Sequence, residues 1–244
     1  METAAVLLIG DEILAGSTQD KNLQVAARLF AGKGVKLVEA RVIADDVDTI
    51  VDTLNTLRQK YTYVVTSGGI GPTHDDITVE SVAKAFGVAI VRDAEIEAKF
   101  RAKHGDAMKP EVLKMADYPV GAEKFPQSAS TAPGFQLGNV FVCAGIPSTF
   151  QAMLEAASHK IKQSSAIETF ALHLHTRESI IAKGLTVLQA KYKDVPLGSY
   201  PTYLPDGTTL VKLVARSANK ARLAEVAAAL EAMVDSLGLE RVKD

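Results

Sequence analysis

Along the first two-thirds of the chain, short unbroken apolar runs alternate with stretches whose apolar residues recur every three or four positions. Ala5 to Ile9 is continuously apolar, as a strand covered on both faces should be. Leu23, Ala26, Ala27 and Phe30 follow at helical spacing, and Gly32 and Gly34 close that helix. Val35 to Ala44 reads as the next strand, and Ile50, Leu54 and Leu57 mark a second helix. Tyr61 to Ser67, β-branched and aromatic, reads as a central strand. Val79, Val82, Ala83 and Phe86 give a third helix that stops at Gly87, and Val88 to Val91 reads as a short strand. Ala94 to Met115 reads as helical with a break near Gly105 to Pro110. Asp117 to Gly134, rich in Pro, Gly and Ser, reads as a long loop of the kind that is functional or mobile. Gly138-Asn139 is a hairpin turn between Phe135–Leu137 and Val140–Cys143. A helix is expected to start at Ser148, which has the spacing of a capping box with Gln151.

The rhythm then changes. Thr169 to His175 alternates as a strand, Ile180 to Lys191 reads as a helix, and Gly198 to Leu204 and Thr209 to Arg216 pair around Pro205-Asp206-Gly207. Leu223, Val226, Leu230, Met233, Val234 and Leu237 form a helical stripe. The expected architecture is a doubly wound, mostly parallel α/β sheet over residues 1–165, followed by a smaller α+β domain over 166–244, the boundary falling near Lys162 to Ala166.

Composition narrows the function classes. The 244 residues are 47% hydrophobic and 23% charged with a net charge of −2, an ordinary globular balance without the basic footprint of a nucleic-acid binder. Aromatics are only 6% and Trp is absent, which argues against stacking platforms for single strands. No apolar run approaches the ~20 residues that cross a bilayer. The first residues lack the basic region of a signal peptide, and Cys143 is the single cysteine, so no intrachain disulfide can form. A cytoplasmic location, with no nucleic-acid or membrane partner, is the expectation.

Four polar or glycine-rich segments fall at the carboxyl ends of the expected strands. Ser67-Gly68-Gly69-Ile70-Gly71-Pro72-Thr73-His74-Asp75-Asp76-Ile77-Thr78 joins a strand to a helix. Its three glycines permit positive φ and close ligand approach. Its successive N–H groups can form an anion nest, and the following helix adds its positive end. Phosphate is the natural guest. Asp75 and Asp76 would repel that phosphate unless they held a divalent cation beside it; alternatively, Asp76 orients a ligand or caps the helix. Gly10-Asp11-Glu12, with Asn22 at the start of the first long helix, ends the first strand. Asp45-Asp46 ends the second, where either aspartate could be a helix cap. Gly145-Ile146-Pro147-Ser148 ends a later strand; Gly145 and Pro147 shape a tight loop and Ser148 a cap. Ligands of open α/β sheets bind outside the carboxyl ends of the strands at the topological switch point, so the four segments should converge on one crevice.

These segments, in this order and over roughly residues 4–160, resemble the MoaB/Mog molybdopterin-binding domain, in particular its competence/damage-inducible protein A (CinA) branch. Glu80, Ala132-Pro133-Gly134-Phe135 and Gly145-Ile146-Pro147-Ser148 fit that branch as well. The resemblance implies a homo-oligomer that binds a pterin such as molybdopterin, or a nucleotide, and metal-dependent hydrolysis of ADP-ribose-type pyrophosphates. On that reading Asp46, Asp75 and Asp76 are catalytic, and Asp75 and Asp76 hold Mg²⁺ or a related ion. Gly10, Asp11, Glu12, Asn22, Ser67, Gly68, Gly69, Gly71, Pro72, Thr73, Thr78, Gly145, Pro147 and Ser148 hold the ligand. A binding module without catalysis is the second reading. A molybdopterin adenylyltransferase is the third, and the chain departs from it: those enzymes place Thr and Arg where this sequence has Ile70 and Asp75.

Overall fold

The structure is a computed structural model that describes residues 2–126 and 131–242. The chain divides into two compact units between Ser164 and Ser165.

In the first unit, strand β1 (Thr3–Ile9) is buried from Ala4 to Ile9. Successive strand side chains point to opposite faces. Ala5, Leu7 and Ile9 therefore enter one core layer, and Ala4, Val6 and Leu8 enter another. A strand apolar from Ala4 to Ile9 has to be covered on both sides. Helices α2 (Asn22–Gly32) and α6 (Pro147–Ala157) cover one face with Ala26, Phe30, Phe150 and Leu154. Helices α3 (Val47–Lys60) and α4 (Thr78–Phe86) cover the other with Ile50, Leu54, Leu57 and Val82. Burial of each Leu, Ile or Phe side chain contributes roughly 1.5–3 kcal/mol.

The sheet also contains β2 (Lys36–Ile43), β3 (Tyr63–Ser67), β6 (Glu123–Lys124), β7 (Phe135–Leu137) and β8 (Val140–Cys143), in the order β2-β1-β3-β8-β7-β6. The first four are parallel, and β7 and β6 add an antiparallel edge. The chain leaves β1 for β2 on one side and returns to β3 on the other. The switch point of this doubly wound sheet therefore lies between the carboxyl ends of β1 and β3.

Several local expectations are revised. A four-residue helix, α1 (Asp11–Leu14), follows β1 where a polar loop was expected. The short strand after α4 is β4 (Ile90–Arg92); it stays outside the main sheet and pairs with β5 (Asp117–Pro119) in a separate ribbon. The stretch 117–134, expected as a loop, thus supplies β5 and β6, while residues 127–130 lie outside the described residues. Helix α5 (Ala94–His104) ends at Gly105, whose φ is +53°, and gives way to 3₁₀ turns at Gly105–Ala107 and Pro110–Ala116. Helix α6 starts at Pro147 with Ile146 as N-cap, so the Ser148–Gln151 capping box does not form. Proline's fixed φ suits the first helical position and moves the start one residue upstream.

The second unit runs β9 (Glu168–His175), α7 (Glu178–Lys191), β10 (Leu197–Tyr203), β11 (Thr209–Ser217), α8 (Lys220–Ser236) and β12 (Arg241–Val242). Its antiparallel order β10-β11-β9-β12 is the ferredoxin-like βαββαβ arrangement. Leu174, Val211, Leu213 and Ala215 pack with Ile181, Val226, Leu230 and Val234 of α7 and α8. Among the described residues, no helix is long and apolar enough to cross a membrane.

Candidate functional site at the switch point

The loop after β3 is built by glycine. Gly68 has φ +107°, and a Cβ there would stand 2.2 Å from the Ile9 carbonyl oxygen at the end of β1. Gly69 has φ +69°, and its Cβ would stand 2.2 Å from Thr78 Oγ1. Only glycine combines that backbone with that proximity. Thr78 is fully buried; its hydroxyl donates to the Gly68 carbonyl at 2.9 Å, and its N–H to the Gly69 carbonyl at 2.9 Å. The first turn of α4 thus pins both ends of the Gly68-Gly69 peptide. The N–H groups of Gly69, Ile70 and Gly71 meet no acceptor among the described residues. Three successive free amides are the makings of an anion nest.

Asn22 fastens this loop to its neighbour. Its Nδ2 donates to Ser67 Oγ at 2.8 Å and to the Gly145 carbonyl at 2.7 Å. The Gly145 carbonyl accepts only, so the amide orientation is fixed and Oδ1 faces away. Asn22 is 4% exposed, and this Oδ1 has no partner among the described residues. Buried acceptors are usually paired, so this oxygen is an exception in the floor of the site. Asp20 stabilises the start of α2, accepting from the Asn22 N–H at 3.0 Å and the Leu23 N–H at 3.1 Å.

The carboxylates take distinct tasks. Asp76 accepts from the Thr73 N–H at 2.9 Å and from the Thr73 hydroxyl, closing the loop on itself. It does not cap α4, whose N-cap is Ile77. The same Thr73 hydroxyl, the Asp75 backbone, and the His74 and Lys114 charges hold exposed Asp75 below the usual carboxylate range. Asp46 is turned back onto α3, accepting from Thr49 N–H at 2.8 Å and Thr49 Oγ1 at 2.7 Å, which lowers its pKa. Asp45, its neighbour, reaches the loop after β1 and accepts from the Asp11 N–H at 2.9 Å. Burial raises Asp45 above its ordinary value, and the charges of Asp11, Glu12 and Asp75 push it the same way. Among the described residues, no three His, Cys, Asp or Glu side chains stand close enough to hold a metal ion by themselves.

Above this floor opens a cleft of about 550 Å³. Glu12 and Thr18 line it from the loop after β1, Ile70 to Pro72 and Asp76 from the loop after β3, and Ala144 to Pro147 and Thr149 from the loop after β8. Met115, Ala132 and Met153 complete a largely apolar wall. The volume suits a ligand of cofactor size. No Lys, Arg or His lines it among the described residues.

Residues 5–163 match the family described as "Probable molybdopterin binding domain". The chain belongs to that family. Residues 166–243 match the family described as "FAD synthase, middle domain". A solved CinA structure from Thermoplasma acidophilum is 33% identical, covers 66% of this chain and 98% of its own, and superposes with a TM-score of 0.61. A Caenorhabditis elegans protein named "Probable FAD synthase" is 33% identical over 82% of this chain, and a CinA-like protein of Frankia casuarinae is 32% identical over 63%. The chain spans 44% and 38% of those two relatives.

In this CinA-like molybdopterin-binding domain, Glu12, Gly71, Pro72, Asp76, Gly145 and Pro147 of the sequence-predicted set line the cleft. Asn22, Ser67, Gly68 and Thr78 are buried beneath it and shape its loops. Gly69, with Gly10, Asp11 and Thr73, belongs to the same loops without lining the cleft. Asp46, Asp75 and Ser148 do not line it, and α6 presents Thr149 there instead. Sequence reasoning missed Met115, Ala132, Thr149 and Met153. Asp45 was read with Asp46 as one of the converging strand ends, either aspartate being a possible cap, and was not named as a site residue.

Proposed function

We propose that the cleft at the switch point binds a nucleotide diphosphate or a pterin, with the anionic part of the ligand against the loop after β3. The observation that carries this reading is the convergence of three strand-end loops on one cofactor-sized cleft beside three unpaired successive amides. The amides of Gly69 to Gly71 receive the phosphate or another anionic group. The apolar wall of Ile70, Met115, Ile146 and Met153 receives the ring system. Binding then draws on hydrogen bonds to unpaired donors on one side and apolar burial on the other.

Hydrolysis of an ADP-ribose-type pyrophosphate extends the same reading. Mg²⁺ is commonly held by one or two carboxylates together with its ligand's own phosphates. The fit here is of that kind, because Glu12 and Asp76 line the cleft singly and not as a cage. A bound ion would activate water and offset charge on the leaving phosphate. Asp76 holds the loop through one oxygen, leaving the second without a partner among the described residues, and Glu12 lines the same cleft.

The test is to incubate the protein with ADP-ribose and water, with and without Mg²⁺, and to follow AMP and ribose 5-phosphate by mass spectrometry. Metal-dependent turnover that fails in Asp76→Asn is the expected result. A ligand that raises the melting temperature without turnover leaves a binding module, and full activity in chelator removes the metal.

A further inference from the structure

The cleft wall poses an electrostatic problem for the anionic ligand proposed above. It carries Glu12 and Asp76 and no cation, while Asp11, Asp45 and Asp75 stand close by. The amides of the loop after β3 supply partial charges, which do not offset several carboxylates. A cation is needed within reach.

Lys114 is the candidate the surroundings single out. It lies in the 3₁₀ turn Pro110–Ala116, one residue before Met115, which lines the cleft. Its side chain is half-buried, and its Nζ sits 3.5 Å from the Thr73 carbonyl, a long and weak hydrogen bond. It makes no ion pair among the described residues, whereas Lys60, Lys84, Lys124 and Lys160 are each paired with a carboxylate. Thr73 is the residue whose N–H and hydroxyl engage Asp76, so the ammonium stands over the closing turn of the loop. Its charge also contributes to keeping Asp75 ionised. The ammonium is thus held at the loop by one long, exposed hydrogen bond, with the Asp75 charge nearby but no ion pair among the described residues to hold it back from an incoming anion.

We propose that Lys114 is the ligand-binding cation of this site, swinging from the Thr73 carbonyl to pair with a phosphate held at the loop after β3. This rests on the reading of the cleft as an anion-binding site and names the residue that makes it one. A second hollow of about 410 Å³ is lined by Pro72, Thr73 and His74 of the same loop with Lys109 and Glu111. Lys109 is exposed there, and among the described residues its ammonium makes no hydrogen bond to the loop.

The test compares wild type with Lys114→Gln, which keeps a donor for Thr73 but loses the charge, and with Lys114→Arg, which keeps both. Binding of ADP-ribose, adenosine and inorganic pyrophosphate is measured by calorimetry at two salt concentrations. Lys114→Gln should weaken ADP-ribose and pyrophosphate by about tenfold or more. It should flatten their salt dependence and leave adenosine affinity and melting temperature unchanged. Lys114→Arg should bind like wild type. Unchanged ADP-ribose and pyrophosphate affinity in Lys114→Gln overturns the proposal, as does an equal loss for adenosine, which marks a loop staple. If wild type binds pyrophosphate but not ADP-ribose, the proposed ligand fails while the lysine is still judged on pyrophosphate. If wild type binds neither, both fail.

Discussion

Replacing Gly68 by alanine puts the geometry of the site under direct test. Two costs arise, and the structure separates them. The first is backbone strain, because a φ of +107° is a conformation that L side chains rarely adopt, at about 1–3 kcal/mol. The second is steric, because the new Cβ would lie 2.2 Å from the Ile9 carbonyl oxygen. That oxygen is backbone at the end of a buried central strand and cannot rotate away. Overpacking of this kind costs about 1–3 kcal/mol. The sum is roughly 4 kcal/mol, which in a unit of this size lowers the melting temperature by about 8–16 °C.

Gly16→Ala is the matched control. Gly16 has φ +72°, and nothing stands within 4 Å of its would-be Cβ, so it bears the strain alone. Gly145→Ala is the converse. Its Cβ would lie 3.4 Å from Gly68 Cα, an ordinary contact, at a position without positive φ. Differential scanning calorimetry of the three variants, with no ligand present, should rank the losses Gly68 first, Gly16 second and Gly145 last. If Gly68→Ala loses no more than Gly16→Ala, then β1 and the loop after β3 do not meet as described. The cleft built on that meeting would fall with it.

Three further outcomes follow from the same contacts. Asn22→Ala removes donors to Ser67 and Gly145, two hydrogen bonds of about 1 kcal/mol each, so urea titration should register roughly 2 kcal/mol. Asn22→Asp should be worse at neutral pH and recover as pH falls. A buried carboxyl has a raised folded pKa, so its penalty grows as pH rises above the unfolded value near 3.9, and a flat pH profile would contradict the burial. For Asp45 the folded pKa is likewise raised, so stability is lost as pH climbs above the ordinary carboxylate value. Asp45→Asn should abolish that loss in melting curves taken between pH 4 and 7. Asp46 is the opposite case: its pKa is lowered by Thr49, so its contribution is present above the ordinary value and disappears as pH falls. Asp46→Ala should destabilise α3 without changing ligand affinity, and a lost affinity would return Asp46 to the site.

Much of the first unit was legible because its physics is local. A run such as Ala5–Ile9 can only be a strand covered on both faces, and the core shows that burial directly. The glycine loop was legible because three glycines between a strand and a helix have few other uses. What stayed hidden depends on contacts distant in sequence. The ribbon of β4 and β5 joins residues 90–92 to 117–119 across α5, and no period in either segment announces it. Met115 and Ala132 reach the cleft from stretches read as broken helix and as loop, where side-chain direction is not encoded in any repeat.

The Asp45-Asp46 pair shows why adjacency in sequence is a poor guide to role. Both aspartates follow the same strand, and either could cap the next helix. Asp46 has extended φ and ψ of −131° and 124°, the conformation an N-cap requires, and that commits its carboxylate to Thr49. Asp45 sits in the bend just before Asp46, spanned by the hydrogen bond from the Asp46 N–H to the Ala44 carbonyl at 2.9 Å, and its carboxylate reaches Asp11 and the loop after β1. Asp46 therefore stabilises a helix while Asp45 adds its carboxylate to those of Asp11, Glu12 and Asp75. The carboxylates outnumber the one nearby ammonium, so a phosphate held by the unpaired amides of Gly69 to Gly71 needs a cation beside it. Screening by salt weakens both the repulsion by these carboxylates and the attraction of the proposed Lys114 contact, so a steep fall of anion affinity with added salt should be seen only while Lys114 carries its charge.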